Sequence, residues 1–300
     1  MTRHFTDIDD LSSAELEDVL ERAAKYKSQQ REGVTPPDLE RKTLGMLFQK
    51  PSTRTRVSFE TGMNQLGGHA VFLGEDDIHL GHGEPLKDTA RTLSGYVDAI
   101  TARVFEHANI EELARYARVP VVNGLTDDAH PCQTLADLLT VRETFGDREV
   151  SVAWVGDANN VARSFALGCA LMEIDLTVAT PEEYGLDEDI LDRADSLGSP
   201  PETTNDPAEA VARADVVYTD VWISMGQEDQ RDYRLSAFEG FQLNEELLSK
   251  APDAKVLHCL PAHRGEEITD EVIESERSLV FEQAENRLHA QKGLLSWLLE

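Results

Sequence analysis

Five stretches of this chain carry polar residues where an apolar run stops, and each offers a different piece of chemistry. The first is Phe48-Gln-Lys-Pro-Ser-Thr-Arg-Thr-Arg56. Pro51 turns the chain and Ser52 is a helix cap. The N–H groups of Thr53, Arg54 and Thr55 then point at one spot, an anion site built from backbone and strengthened by the helix dipole. Hydroxyl and guanidinium groups add the charge-assisted bonds that phosphate accepts. Arg54 and Arg56 stand two apart and leave a helix on nearly opposite sides. Arg54 is therefore the expected ligand contact and Arg56 a structural residue. Taken alone, the pattern equally fits a capped helix with surface arginines.

The second is Arg103, at the end of Ala99-Ile-Thr-Ala-Arg-Val-Phe105. An arginine there is costly to bury unless an anion or a carboxylate meets it. The third is His130-Pro-Cys-Gln133. Proline at the first helical position puts His130 at the N-cap, with Gln133 facing the same end. An imidazole and an amide there can hydrogen-bond a carbonyl, or simply cap the helix. His130 with Cys132 has no paired C-x-x-C or H-x₃-H spacing, so no metal is expected.

The fourth stretch, Asp220-Val-Trp-Ile-Ser-Met-Gly226, has an acid and a flexible backbone suited to an ammonium group. Gly156-Asp-Ala-Asn-Asn160 can serve the other end of an amino acid. It lacks G-x-G-x-x-G, which argues against a dinucleotide site. The fifth is His258-Cys-Leu-Pro261. Its Leu-Pro bond is a candidate cis peptide that aims the Leu260 carbonyl and the Cys259 thiol at a ligand. A buried, inert cysteine is the commoner alternative.

Elements must place these residues. A capping box, Ser12 with Glu15, starts a helix whose Leu16, Leu20, Ala23 and Ala24 recur at helical spacing. Strands are expected at 43–48, 70–73, 99–105 and 121–122, with helices after Pro51 and at 87–97 and 110–118. The polar stretch 74–85 reads as a mobile loop. A helix at 133–145 precedes a second alternation: strands at 150–155, 176–179, 216–218 and 255–258, a helix at 161–172, and a closing helix at 283–299. This alternation predicts an α/β protein of two domains, each with a mostly parallel sheet flanked by helices. The join falls near Gly146-Asp147-Arg148. In such sheets ligands bind beyond the carboxyl ends of the strands, where the five stretches lie.

Composition narrows the partners. The 300 residues carry 28 Lys+Arg against 57 Asp+Glu, a net charge of −29. Nucleic acids and anionic membranes are repelled by such a surface. The acids are spread between apolar segments, so they read as a solvated surface rather than as disorder. Only eight of the basic residues are lysine. An acidic, lysine-poor surface fits a protein adapted to strong salt, which screens self-repulsion. No apolar run approaches the roughly 18 residues of a membrane span, and the first residues show no signal pattern. Three cysteines, Cys132, Cys169 and Cys259, fit a reducing, cytoplasmic setting.

Together the five stretches resemble the transcarbamoylase family over nearly the whole chain. Ser-Thr-Arg-Thr-Arg (52–56) and His-Pro-Cys-Gln (130–133) are similar to its carbamoyl-phosphate signatures. Gly83 to Arg91 resembles the helix after its mobile loop. Asp220 to Gly226 and His258-Cys-Leu-Pro261 resemble its ornithine branch; the aspartate branch has proline-leucine-proline in the latter place. The resemblance implies a reaction of carbamoyl phosphate with L-ornithine that yields L-citrulline and phosphate, with no cofactor and no metal. It implies a carbamoyl-phosphate domain of residues 1–144, closed by a helix at 285–300, and an ornithine domain of residues 145–284.

The resemblance also implies roles. Ser52, Thr53, Arg54 and Thr55 bind phosphate, and Arg103 bridges phosphate and carbamoyl oxygen. His130 and Gln133 hold the carbamoyl group, and Arg287 closes over it. Asn160, Asp220, Ser224 and Met225 bind the amino-acid end of ornithine. Cys259 and the Leu260 carbonyl orient the reacting amine. The family lends a loop glutamine to a neighbouring subunit within a trimer. His79 stands in that place here, which puts the loop's usual contact in doubt and makes His79 the candidate phosphate donor. Other acceptors (aspartate, putrescine, acetylated ornithine), a nicotinamide-dependent dehydrogenase and a non-catalytic binding protein are the competing functions. Asp220 disfavours acceptors without an α-ammonium, and the intact set Arg54, Thr55, Arg103, His130 and Cys259 disfavours the last.

Overall fold

The short apolar runs are the strands, and every strand pairing among the described residues is parallel. The computed structural model describes residues 2–74, 84–224 and 226–300. His79 and Met225 lie outside them, as does most of the polar stretch expected to form a loop. The chain divides into two units: Met1–Leu139 with Glu285–Glu300, and Thr140–Ala284.

The first unit contains α1 (Ser13–Arg31), β1 (Thr43–Phe48), α2 (Thr53–Gln65), β2 (His69–Leu73), α3 (Leu86–Leu93), β3 (Ala99–Arg103), α4 (His107–Tyr116) and β4 (Val121–Leu125). It also holds the start of α5 (Pro131–Phe145). Its sheet runs β2-β1-β3-β4. Strands β1 and β3 are buried almost throughout, which is why they read as unbroken apolar runs rather than as alternation. Phe48 pairs with Arg103, so the segments after β1 and β3 leave the sheet side by side. Strand order reverses at this pair, the place where open parallel sheets form their ligand crevice.

The second unit begins within α5 and contains β5 (Ser151–Val155), α6 (Asn160–Leu171), β6 (Asp175–Ala179), α7 (Glu188–Leu197), β7 (Glu202–Thr204), α8 (Pro207–Val211) and β8 (Val216–Thr219). It continues with α9 (Arg231–Ala237), α10 (Glu245–Leu248), β9 (Lys255–His258) and α11 (Asp270–Ile273). Its order is β7-β6-β5-β8-β9, so the reversal lies between β5 and β8. Thr219 pairs with His258, which brings the ends of β8 and β9 together. Gly156 ends β5 at φ 136, a conformation open to glycine; a side chain there meets Thr219 and Trp222.

The last helix, α12 (Val280–Leu298), contributes its Glu285–Leu298 part to the first unit. It lies against α1 through Gly293, where a Cβ would stand 2.5 Å from the Val19 carbonyl oxygen and 2.9 Å from the Ala23 nitrogen. Two lysines fasten the pair: Lys27 donates to Asn286 Oδ1 at 2.7 Å and Lys292 to Gln30 Oε1 at 2.7 Å.

The expected elements are present, with shifted ends. The α1 capping box forms as expected, Ser12 with Glu15. The helix expected over 87–97 stops at Leu93, because Ser94 Oγ bonds back to the Ala90 carbonyl and the chain turns through Gly95. Helix α5 starts at Pro131 rather than at 133, since proline fits a first turn. The closing helix starts at Val280, three residues before the expected boundary, with the Gln283 N–H bonded to the Leu279 carbonyl.

The α1–α12 contact yields a stability test. Gly293→Ala is expected to cost about 1–3 kcal/mol, because neither helix backbone can yield without losing its packing. Thermal unfolding of the variant should show a midpoint several degrees lower; an unchanged midpoint contradicts the close approach.

Candidate active site

The side chains singled out in the sequence gather into two sets, one in each unit. In the first unit, Ser52 caps α2 and its Oγ accepts the Thr55 N–H at 3.3 Å. That uses one of the three amides expected to face an anion. Thr55 is buried, and its Oγ1 accepts a hydrogen bond from Arg287 Nη2 at 3.1 Å. Arg287 Nη1 donates to Gln133 Oε1 at 2.6 Å and lies 3.5 Å from His130 Nε2. Gln133 in turn donates through Nε2 to Asp137 at 2.8 Å. All five side chains are buried. Gln133 therefore holds Arg287 as well as facing the end of its helix.

His130 sits before Pro131, and its carbonyl accepts the Gln133 and Thr134 amides. Burial holds the imidazole well below its usual pKa, and Arg287, Arg103 and Arg54 push the same way. The protein thus carries a neutral histidine under three guanidinium groups. A guanidinium can only donate, so the Arg287 contact assigns the acceptor role to Nε2 and the proton to Nδ1. Arg103 is buried at the end of β3, as the strand position requires.

Arg54 and Arg56 separate as expected. Arg54 is exposed in the first turn of α2 and acts electrostatically on His130. Arg56 pairs with Glu60 at 2.9 Å and covers the Phe72 ring at 3.8 Å. Thr53 is exposed beside Arg54. Lys50, a residue that sequence reasoning passed over, is buried, pairs with Asp127 and lies 4.4 Å over the Phe105 ring. Asp137 was also missed; its signal is the i, i+4 spacing from Gln133 on a buried helix.

In the second unit, Asp220 follows β8 and is buried. Its Oδ2 accepts from Asn159 Nδ2 at 2.8 Å and its Oδ1 from the Cys259 thiol at 3.0 Å. Asn159 is the N-cap of α6, its Oδ1 accepting the Val161 and Ala162 amides. Its neighbour Asn160, the residue singled out from sequence, is the half-buried first residue of the helix. An Asn-Asn pair before a helix signals that one side chain caps, but not which side chain meets the ligand. Ser224 is half-buried and its N–H donates to Gln227.

Beneath this set lies a buried ion pair that the sequence did not reveal. Arg234 Nη1 donates to Asp157 Oδ2 at 2.9 Å and to the Trp222 carbonyl at 2.8 Å. Burial pushes the Asp157 carboxyl up to about 6, with Arg234 opposing. The pair ties the segment after β5 to the segment after β8.

Cys259 is half-buried, not sealed in the core as Cys132 and Cys169 are. Leu260 has φ 60 and a cis bond to Pro261. Its N–H donates to His258 Nδ1 at 2.9 Å, so His258 Nε2 carries the proton that meets Glu267 Oε1 at 3.0 Å. Asp220, His258 and Cys259 have ligand atoms close enough to share a metal ion. His258 has no lone pair to give, because both ring nitrogens are committed.

Two family models match the chain: the carbamoyl-P binding domain of aspartate/ornithine carbamoyltransferases over residues 3–143, and the Asp/Orn binding domain over residues 148–298. An ornithine carbamoyltransferase of Haloquadratum walsbyi is 62% identical over 297 residues, 99% of this chain and 97% of that one. One from Archaeoglobus fulgidus is 53% identical over 299 residues, again 99% and 97%. The solved ornithine carbamoyltransferase of Pyrococcus furiosus superposes with a TM-score of 0.93 at 51% identity, covering 98% of this chain and 96% of that one.

His130 generates a pH test. The native imidazole resists a proton that the unfolded chain takes up near pH 6.5. His130 therefore contributes stability above that pH which is lost as pH falls. The stability of the protein relative to His130→Gln should drop between about pH 7.5 and about pH 5. A difference that stays constant, or an imidazole NMR titration near 6.5, contradicts the burial described.

Proposed function

This chain belongs to the aspartate/ornithine carbamoyltransferase family, and from that membership and the two residue sets we infer a reaction on ornithine. It transfers the carbamoyl group of carbamoyl phosphate to the side-chain amine of L-ornithine, giving L-citrulline and phosphate. The observation that carries the choice of acceptor is the buried Asp220 carboxylate beside Cys259. Arg234, which lies beside that set, is committed to Asp157 and the Trp222 carbonyl. A carboxylate suits the ammonium of ornithine and repels a second carboxylate such as aspartate carries.

The first unit's set fits the other substrate. Ser52, Thr53, Arg54 and Thr55 at the start of α2 receive the phosphate, with Arg103 between phosphate and carbamoyl oxygen. His130 donates from Nδ1, and Gln133 and Arg287 hold the carbamoyl end. His79, lent by a neighbouring copy in a trimer-based oligomer, adds a phosphate contact. Asn160, Asp220, Ser224 and Met225 hold the amino-acid end of ornithine, and Asn159 orients Asp220. Cys259 and the Leu260 carbonyl aim the amine.

The neutral amine nitrogen attacks the carbonyl carbon, and its lone pair becomes the new C–N bond. The C=O electrons move onto oxygen, where Thr55, Arg103 and His130 supply donors. A donor of this kind is worth on the order of 10²-fold in rate. As the oxyanion collapses, the C–O bond to phosphorus-bound oxygen breaks and phosphate leaves with the electron pair. The amine proton goes to the departing phosphate. No cofactor takes part in this scheme.

The field matters because an anionic substrate approaches a protein of net charge −29. The guanidinium groups of Arg54, Arg103 and Arg287 act locally, and salt screens the rest to roughly 3 Å at 1 M. This supports a salt-adapted enzyme. Three cysteines outside any disulfide and no described helix long and apolar enough to cross a membrane support a reducing, cytoplasmic setting.

Citrulline release should occur with ornithine and not with aspartate, putrescine or acetylornithine. It should be faster at several molar KCl than at about 0.1 M. It should also rise from about pH 6 to about pH 9, as the side-chain amine, which like that of lysine titrates near about 10.4 in water, loses its proton. No turnover with ornithine at any salt concentration overturns the reading. Asp220→Asn should lower kcat/KM for ornithine by about 10²-fold, through KM, with the KM for carbamoyl phosphate unchanged. An unaltered ornithine KM removes Asp220 from recognition.

A further inference from the structure

The turn that follows Pro261 brings three ligand atoms together that the reaction does not use. His263, Glu266 and Glu267 each bring one ligand atom within 4.8 Å of the others. His263 Nδ1 is 3.9 Å from Glu266 Oε2 and 4.0 Å from Glu267 Oε2, beyond hydrogen-bond reach. All three atoms are shielded from solvent and have no hydrogen-bond partner.

The remaining oxygens of both carboxylates are committed. Glu267 Oε1 accepts the His263 N–H at 2.6 Å and His258 Nε2–H at 3.0 Å. Glu266 Oε1 pairs with Arg231 from α9. Arg264, the nearest guanidinium in sequence, is turned to Asp270 and Glu274. These bonds fix each carboxylate with its other oxygen facing the imidazole. Glu267 is the independent sign of a ligand: its side chain is completely buried, and Oε2 meets no donor. A carboxylate oxygen in that state is costly unless something positive meets it.

The separations come near those around a metal ion. Two atoms bound about 2.1 Å from one ion stand roughly 3.0–4.2 Å apart, so the His263 separations lie at the wide end and the half-exposed imidazole swings toward the carboxylates on binding. One imidazole and two carboxylates make a borderline set, matched to Zn²⁺ or Mn²⁺ rather than to the all-oxygen shells of Ca²⁺ and Mg²⁺. We propose that His263, Glu266 and Glu267 bind one divalent transition-metal ion of the Zn²⁺ class, with water completing its shell. The ion braces the turn carrying Cys259 and Leu260, because Glu267 holds His258 and His258 holds the Leu260 N–H. The binding site stands on these residues alone and does not depend on the acceptor assigned above.

The test uses the full chain, stripped with a chelator and titrated calorimetrically with Zn²⁺. One tight Zn²⁺ per chain is expected, with a raised thermal midpoint. His263→Ala and Glu266→Gln should each weaken it at least about tenfold and abolish the thermal shift. Cys259→Ser should leave the affinity unchanged, and the Co²⁺-loaded protein should lack a thiolate charge-transfer band. His263 is partly exposed, and either variant suffices should the other fail to fold. Binding that survives both substitutions, vanishes in Cys259→Ser, or is absent from the unmodified chain overturns the proposal. Because the readout is metal affinity, failure here leaves the assignment of ornithine as acceptor intact.

Discussion

The placement of one buried guanidinium organises the first unit. Arg287 has almost no exposure, and a charge in that position persists only when its donors are met. Thr55 Oγ1, Gln133 Oε1 and His130 Nε2 meet them. Those partners come from α2, from α5 and from the residue before α5, so satisfying one side chain orders three segments. Arg287 is itself carried by α12, which Gly293 lets approach the backbone of α1. The close helix contact and the polar cluster are thus two ends of one arrangement. The same cluster accounts for His130, whose proton is excluded by burial and by the surrounding positive charge.

The second unit solves the opposite problem with the opposite charge. Asp220 is buried with both oxygens engaged, one by a helix-capping amide and one by a thiol. Strand order decides that these groups meet. The segments after β5 and β8 emerge at the reversal of the sheet, and the β8–β9 pairing adds the cysteine. Arg234 and Asp157 then tie two of those segments together from below. A surface of net charge −29 surrounds both sets, so their local charges act over short range and depend on the ionic strength around them.

Much of this was legible in the chain before folding, because some signals are local. Unbroken apolar runs marked buried parallel strands, and the Ser12–Glu15 box marked the start of α1. Ser52 marked the cap of α2, and the two-residue offset from Arg54 marked Arg56 as a structural residue, which Glu60 holds. The Leu260-Pro261 turn was readable as a candidate cis bond. Other features left no local trace. Nothing near Asn159 says that its amide reaches Asp220, 61 residues on. Lys50 and Arg234 look like ordinary charged residues until burial shows that each needs its partner.

The α/β alternation, the excess of acid and the five polar stretches at strand ends are properties of the unfolded chain, because periodicity and capping depend on near neighbours and net charge on composition. Which donors meet which acceptors depends on how distant segments pack. Arg287 and Thr55 are 232 residues apart, and their bond exists because α2 and α12 converge. The same holds for His258, whose proton position follows from the Leu260 amide on one side and Glu267 on the other. Protonation, tautomer and ion pairing answer to the low-dielectric surroundings a group is folded into, and those surroundings come from distant parts of the chain.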